Sequence, residues 1–148
     1  MEARQEEDVA RFVFVDETST NLTSCRHGRA PAGRRLDQAV PLHGGPNGTL
    51  IAALTPDGLG ALMSGNGAVN GDVFAAYLNR VLGPTVGPGG VVVPANLPAH
   101  KVAGLAQLVE VRGARLLYLP SYSPDFNPVG LIFSRLKTRP RTAQACTR

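Results

Sequence analysis

The chain has 148 residues, 43% of them hydrophobic, a length and content that suit one domain with a core of its own. Its net charge of +4, with Arg far outnumbering Lys, favours a polyanionic partner such as nucleic acid. No apolar run approaches the roughly 20 residues a bilayer requires, and the charged start Met1–Asp8 lacks the apolar core of a signal peptide, so no membrane partner and a cytoplasmic setting are expected. Cys25 and Cys146 stand at no metal-ligand spacing and read as free thiols.

In chain order, Arg11 to Asp16 is almost wholly apolar until its acid, as expected of a central strand covered on both faces and carrying a carboxylate at its end. The Arg-rich stretch Asn21 to Arg35 reads as a loop and Leu36 to Leu42 as a weaker strand. After a Gly-rich turn at 43–48, Thr49 to Leu54 is a strong strand. Pro56-Asp57-Gly58 is hairpin chemistry, with Leu59 to Ser64 as the partner strand.

The period then changes. Asn70 is placed to cap a helix whose inward residues are Val73, Phe74, Tyr77, Leu78, Val81 and Leu82, with Gly83-Pro84 as its stop. Val91 to Val93 is a short buried strand. A second helix is expected from about Ala99 to Arg112, with Leu105, Leu108 and Val109 inward and Gly113 as its stop, and Leu116 to Leu119 as the next strand. Asn127 and Pro128 open a third helix, with Val129, Ile132, Phe133 and Leu136 as its inner stripe and Pro140 as its end. A meander followed by alternating helices and strands gives an α/β fold with a mixed five-stranded sheet flanked by helices.

Two stretches carry chemistry. Val13-Phe14-Val15-Asp16-Glu17-Thr18 delivers an acid from a strand, and Ser121-Tyr122-Ser123-Pro124-Asp125-Phe126-Asn127-Pro128 is a polar turn that opens a helix. Together they resemble the catalytic domain of the IS630/Tc1-mariner group of DDE transposases, over residues 11 to 138. The resemblance implies an RNase H-like fold and DNA cleavage and strand transfer by Mg²⁺ or Mn²⁺ ions held by three carboxylates. It also implies DNA as partner and a bacterial cell, nucleoid-associated where DNA is bound. On that division, residues 1–10 are frayed and 139–148 form a loose basic tail. Asp16 lies only fifteen residues from Met1, so the family's DNA-end-recognising helix-turn-helix region is not expected ahead of it.

The resemblance places the second acid in the segment Val92-Val93-Pro94-Ala95-Asn96-Leu97-Pro98-Ala99-His100-Lys101, where Asn96, His100 and Lys101 match and Ala95 stands in the acid's place. The third acid belongs two residues after Asn127-Pro128, where Gly130 stands. Between Ala95 and Gly130 lie residues 96 to 129, that is 34 residues, the spacing of the Tc1-like branch. Of three metal ligands only Asp16 remains, and one carboxylate does not hold two strongly hydrated divalent ions, so no tightly bound metal and no catalysis are expected. Pro94, which lacks an N–H, argues further against a regular central strand there.

Other acids have ordinary explanations. Glu17 faces away from Asp16 by strand alternation, Asp57 lies in a turn, Asp72 at a helix start, and Asp125 in the loop before the third helix. Arg26, Arg29, Arg34, Arg35, His100, Lys101 and Lys137 are candidates for weak contact with DNA phosphates or for plain solvated positions, and Arg135, Arg139 and Arg141 read as a solvated helix face. Tyr122 and Phe126 read as packing residues. The expected function is that of a catalytically degraded transposase domain. The alternatives are an active enzyme with unconventional ligands, or a non-catalytic remnant that binds DNA or joins a full-length transposase.

Overall fold

The computed structural model describes residues 9–20, 30–35, 37, 47–121 and 123–142, excepting the side chains of 9, 124 and 139–142. The expected weak strand at Leu36 to Leu42 (apart from Asp37), the cysteines, Arg26, Arg29 and Tyr122 lie outside the described residues, as does most of the 43–48 turn. Five strands, β1 (Phe12–Thr20), β2 (Gly48–Thr55), β3 (Gly58–Asn66), β4 (Val91–Pro94) and β5 (Arg115–Leu116), form one sheet in the order β3-β2-β1-β4-β5. The pairs β1/β2 and β2/β3 are antiparallel, while β1/β4 and β4/β5 are parallel.

The Pro56-Asp57 turn joins β2 to β3 with Thr55 opposite Gly58, and Gly58 takes φ 122°, a conformation that suits a residue without Cβ. Further along, a register shift in the β2/β3 ladder goes with a positive φ of 47° at Ala61, a bulge that bends the edge strand.

Helix α1 (Gly71–Tyr77) starts as expected: the Asn70 Oδ1 accepts the Val73 N–H at 2.9 Å. It does not stop at Gly83-Pro84. A π-helical turn, Leu78–Leu82, and a 3-10 turn, Gly83–Thr85, carry it on. Proline opens that last turn, where no helical N–H is needed, and the Thr85 hydroxyl donates to the Leu82 carbonyl at 2.7 Å. The Arg112 guanidinium braces the π-helical turn from outside, donating to the Asn79 carbonyl at 3.0 Å and its Oδ1 at 2.9 Å. A Cβ at Gly83 would lie 2.6 Å from the Arg112 Nε, so a larger residue there would have to displace the guanidinium. Val73, expected inward, is exposed.

The second expected helix is broken in two. A 3-10 turn, Pro98–Lys101, is separated from α2 (Leu105–Glu110) by extended Val102 and by Gly104 at φ 91°. The interruption turns His100 inward while leaving Leu105 and Val109 buried. The expected strand at Leu116 to Leu119 shrinks to β5, although Leu117 and Leu119 still donate to the Val92 and Pro94 carbonyls at 2.9 and 3.5 Å. Helix α3 (Val129–Thr142) runs through Pro140 instead of ending there. The bond lost is to the Leu136 carbonyl, on an exposed residue where water can replace it.

Two cores cover the sheet. Val13, Val15, Ile51 and Ala53 meet Phe74, Tyr77, Leu78, Leu82, Leu105 and Val109 of α1, its continuation and α2. On the other face, Ala52 meets Val129 and Phe133 of α3, with Phe14, Leu50 and Leu54 packed around them. Odd and even residues of β1 thus divide between the two faces, as strand alternation requires.

Candidate functional site

Asp16 is not at the end of its strand, as the sequence suggested, but the fifth residue of nine, opposite Ala52 of β2. β1 continues past it because β2 stays paired as far as Thr20. What ends beside Asp16 is β4: the parallel ladder closes at Val15 opposite Pro94, and the next bond runs from the Ala95 N–H to the Val15 carbonyl at 3.4 Å. Asp16 is therefore the first residue of β1 left without a β4 partner, with Ala95 following alongside.

Pro94 is compatible with this position, contrary to the objection from its missing N–H. It is the last residue of β4, fully buried, and its carbonyl accepts from Leu119. In a strand a residue's N–H and C=O point the same way, so the missing donor falls on the β5 side, beyond that strand's last paired residue.

The start of α3 reaches the same point. Asn127 is buried; its Oδ1 accepts the Val129 N–H at 3.2 Å and its carbonyl accepts the Gly130 N–H at 3.2 Å. Its Nδ2 donates to the Val15 carbonyl at 3.4 Å. The single Val15 carbonyl thus gathers Ala95 from β4's end and, through Asn127, the first turn of α3 that carries Gly130. The sequence marked Asn127 as a cap; its reach across to β1 needed the fold. Gly130 is exposed, and no atom lies within 4 Å of where its Cβ would be.

Asp16 Oδ1 accepts the Glu17 N–H at 2.9 Å. Burial raises the Asp16 carboxyl above the ordinary range; that hydrogen bond opposes the shift, the Glu17 charge adds to it, and the His100 and Lys137 charges oppose it. A carboxyl raised on folding contributes stability at low pH that is lost as pH climbs through its folded value. Asp16→Asn is therefore expected to be more stable than the parent at neutral pH. That advantage should disappear below the ordinary carboxylate range near 3.8. Urea melts at several pH values check this, and an advantage that does not change with pH would contradict it.

Glu17 lies on the opposite face of β1, as alternation required, and meets His100 there, Oε2 to Nε2 at 2.7 Å. His100, expected at the surface near a DNA backbone, is 0% exposed, because the break before α2 folds its ring inward. The ring's Nδ1 bonds the Ala95 carbonyl, and its face packs on Phe74 with centroids 4.3 Å apart. Both ring nitrogens face oxygen atoms, an arrangement that the doubly protonated ring satisfies. Burial works against the charged ring, but the Glu17 and Ala95 hydrogen bonds and the charges of Glu17 and Asp16 outweigh it, raising the imidazole above its ordinary value.

The remaining candidates scatter. Lys101 is exposed, as are Arg34 and Arg35, the latter 3.8 Å from Asp37 in a solvated pair of little energetic weight. Lys137 is half-buried, one turn beyond Phe133. Asp57, Asp72, Asp125 and Arg135 are exposed. Phe126, expected to pack, is 65% exposed. Asn96 donates to the Ser121 Oγ at 2.9 Å, while its Oδ1 is buried without a partner, which composition could not have revealed. Among the described residues no three His, Cys, Asp or Glu side chains group as a metal would require. No helix among them is long and apolar enough to cross a membrane.

The family model of the DDE superfamily endonuclease matches residues 11–147. The transposable element Tcb2 transposase of Caenorhabditis briggsae is 27% identical over 150 residues, which cover 94% of this chain and 55% of that protein. The chain therefore spans about half the length of this curated relative. Among solved structures, the Mos1 transposase paired-end complex with left transposon end superposes with a TM-score of 0.72 at 18% identity, over 93% of this chain and 44% of that one. A pre-cleavage Mos1 transpososome gives 0.71 at 19% identity, over 92% and 44%. A mariner Mos1 paired-end complex with Mg gives 0.69 at 20% identity, over 88% and 42%. At these identities the structures speak for the fold, the mixed sheet of an RNase H-like transposase domain. Strand order, the turn into α3 and the match over 11–147 agree, and the chain belongs to the DDE superfamily endonuclease family.

Proposed function

We propose that this chain is a transposase catalytic domain that keeps its scaffold and has lost its chemistry. The observation that carries the reading is that the Val15 carbonyl, next to Asp16 in the chain, accepts from the Ala95 N–H and from the Asn127 Nδ2 just ahead of Gly130; of Asp16, Ala95 and Gly130, only the first carries a carboxylate. Two divalent ions about 4 Å apart need several converging oxygens, and Mg²⁺ sheds water reluctantly. Ala95 and Gly130 supply no side-chain oxygen. Glu17 is turned to the other face and engaged by His100. Lys137 adds positive charge near Asp16, where an ion would have to come. The residues present do not fit a metal pair, so no reaction step is assigned to one. Membership of the IS630 branch and a bacterial cytoplasmic setting belong to the same proposal and rest on the sequence, whereas the boundary expected at residue 138 falls inside α3, which runs to Thr142.

Calorimetric titration with Mg²⁺ and with Mn²⁺ tests the reading. The expected result is no saturable binding at micromolar metal; tight binding at two sites would show that unconventional ligands rescue the centre.

What remains for such a domain is contact with DNA or with a full-length transposase. The exposed cations Arg34, Lys101 and Arg135, together with the net charge of +4, favour DNA. Contact of this kind is held by phosphates and is weak and sequence-independent. Fluorescence anisotropy with unrelated duplexes should give similar affinities that fall steeply with salt, with no cleavage. Retention of affinity at high salt would point instead to a protein partner.

A further inference from the structure

We propose that Glu17, His100 and Tyr118 form a latch that holds the backbone of residue 95 beside Asp16, which makes His100 a positioning residue. The inference deepens the site reading above, since residue 95 takes its meaning from that reading.

Both backbone groups of Ala95 are engaged, and by different elements. Its N–H donates to the Val15 carbonyl of β1 at 3.4 Å, and its carbonyl accepts from the His100 Nδ1. The other side of the same ring donates to the Glu17 carboxylate at 2.7 Å, and Glu17 directly follows Asp16. A third tie comes from beyond β5, where the Tyr118 hydroxyl donates to the His100 carbonyl. Asp16 is thereby bracketed, its preceding carbonyl and its following side chain both tied to the 95–100 segment.

Packing alone does not account for this arrangement. A ring needed only to fill space against Phe74 would not require an acceptor at each nitrogen, and burying such polar groups costs free energy unless both are satisfied. The ring spans the point where the β1/β4 ladder ends, so it replaces the strand pairing that Pro94 concludes. Among the described residues, the titratable groups that act on the ring are Glu17 and Asp16 on β1; Tyr118, after β5, bonds the His100 carbonyl, Tyr77 of α1 stacks on the far side of the contact, against Phe74, and Lys101 next in the chain is exposed. Only Glu17 meets the ring nitrogens.

Amide hydrogen exchange and ring ¹⁵N spectra on the full chain test the latch. The parent should show two slowly exchanging ring N–H signals for His100; one signal, or none, would overturn the proposal. His100→Phe keeps a ring against Phe74 and removes both donors. In it the Ala95 amide should exchange about tenfold faster, the effect of losing a charge-assisted bond, while the hydrogen-bonded amides of β3, which pairs only with β2, keep their parent rates. Glu17→Gln and Tyr118→Phe each cut one tie and should accelerate Ala95 by less; they carry the same comparison if His100→Phe does not fold. Uniform acceleration across the sheet would show a core role only, and an unchanged Ala95 rate in every variant would show no latch. None of these readouts uses activity, so they stand apart from tests of the acid positions.

Discussion

Ala95→Asp combined with Gly130→Glu should yield a chain that nicks supercoiled plasmid only when Mg²⁺ or Mn²⁺ is added, at least about a thousandfold above the parent. This result follows from the proposed places of the two acids. Residue 95 follows the end of β4 beside Asp16, and the space around the Gly130 Cβ position is open. Either substitution alone leaves two carboxylates for two ions and should stay near background, because groups that act as a unit fail together. Gly130→Glu should also stabilise α3 by about 1 kcal/mol, since glycine is poor in a helix and an acid in the first turn suits the dipole. Ala95→Asp should do the reverse, because a second carboxylate beside Asp16 repels the first. Thermal melts then give a second readout: added metal should raise the melting temperature of the double variant and leave the parent unchanged. A well-folded double variant that neither nicks nor responds to metal would remove positions 95 and 130 from the site.

Phe133→Ala is expected to lower stability by about 3 to 5 kcal/mol, the usual cost of emptying a large aromatic site. Phe133 is 4% exposed, and with Val129 it is the buried apolar contact of α3 in the core around Ala52. That core is the smaller of the two, with Phe14, Leu50 and Leu54 completing it, so little remains to close over the cavity. Because Asn127 and Gly130 sit at the start of the same helix, the loss should also loosen the turn tied to Val15. Urea unfolding measures the first effect, and exchange at the Val129 and Gly130 amides the second. A cost under about 1 kcal/mol would mean that the α3 face contributes little, and that Asn127 alone seats the helix.

Much of this was legible because the residues involved act locally. The Asn70 cap, the Pro56-Asp57 turn and the apolar runs of β1 and β4 depend on neighbours a few positions away, and each appears where periodicity put it. The misreadings share a cause. Helix periodicity across Ala99 to Arg112 concealed the break at Val102 and Gly104, since the pattern of inward residues survives a change of axis. The continuation of α1 past Gly83 depends on turn bonds that replace the regular ladder, as at Thr85. His100 looked like a surface cation because nothing near it in sequence shows that Glu17, 83 positions earlier, lies within 2.7 Å.

The amino-acid order by itself pointed to the family and fixed the interval of 34 residues between Ala95 and Gly130, because side-chain identity and spacing need no coordinates. Only the tertiary structure decided that Ala95 and the start of α3 meet at one carbonyl, that Asp16 lies mid-strand where β4 stops, and that His100 is buried between two acceptors. Those facts depend on strand register and on which face each helix covers. Both are set by burial of the two cores, through contacts between residues far apart in the chain.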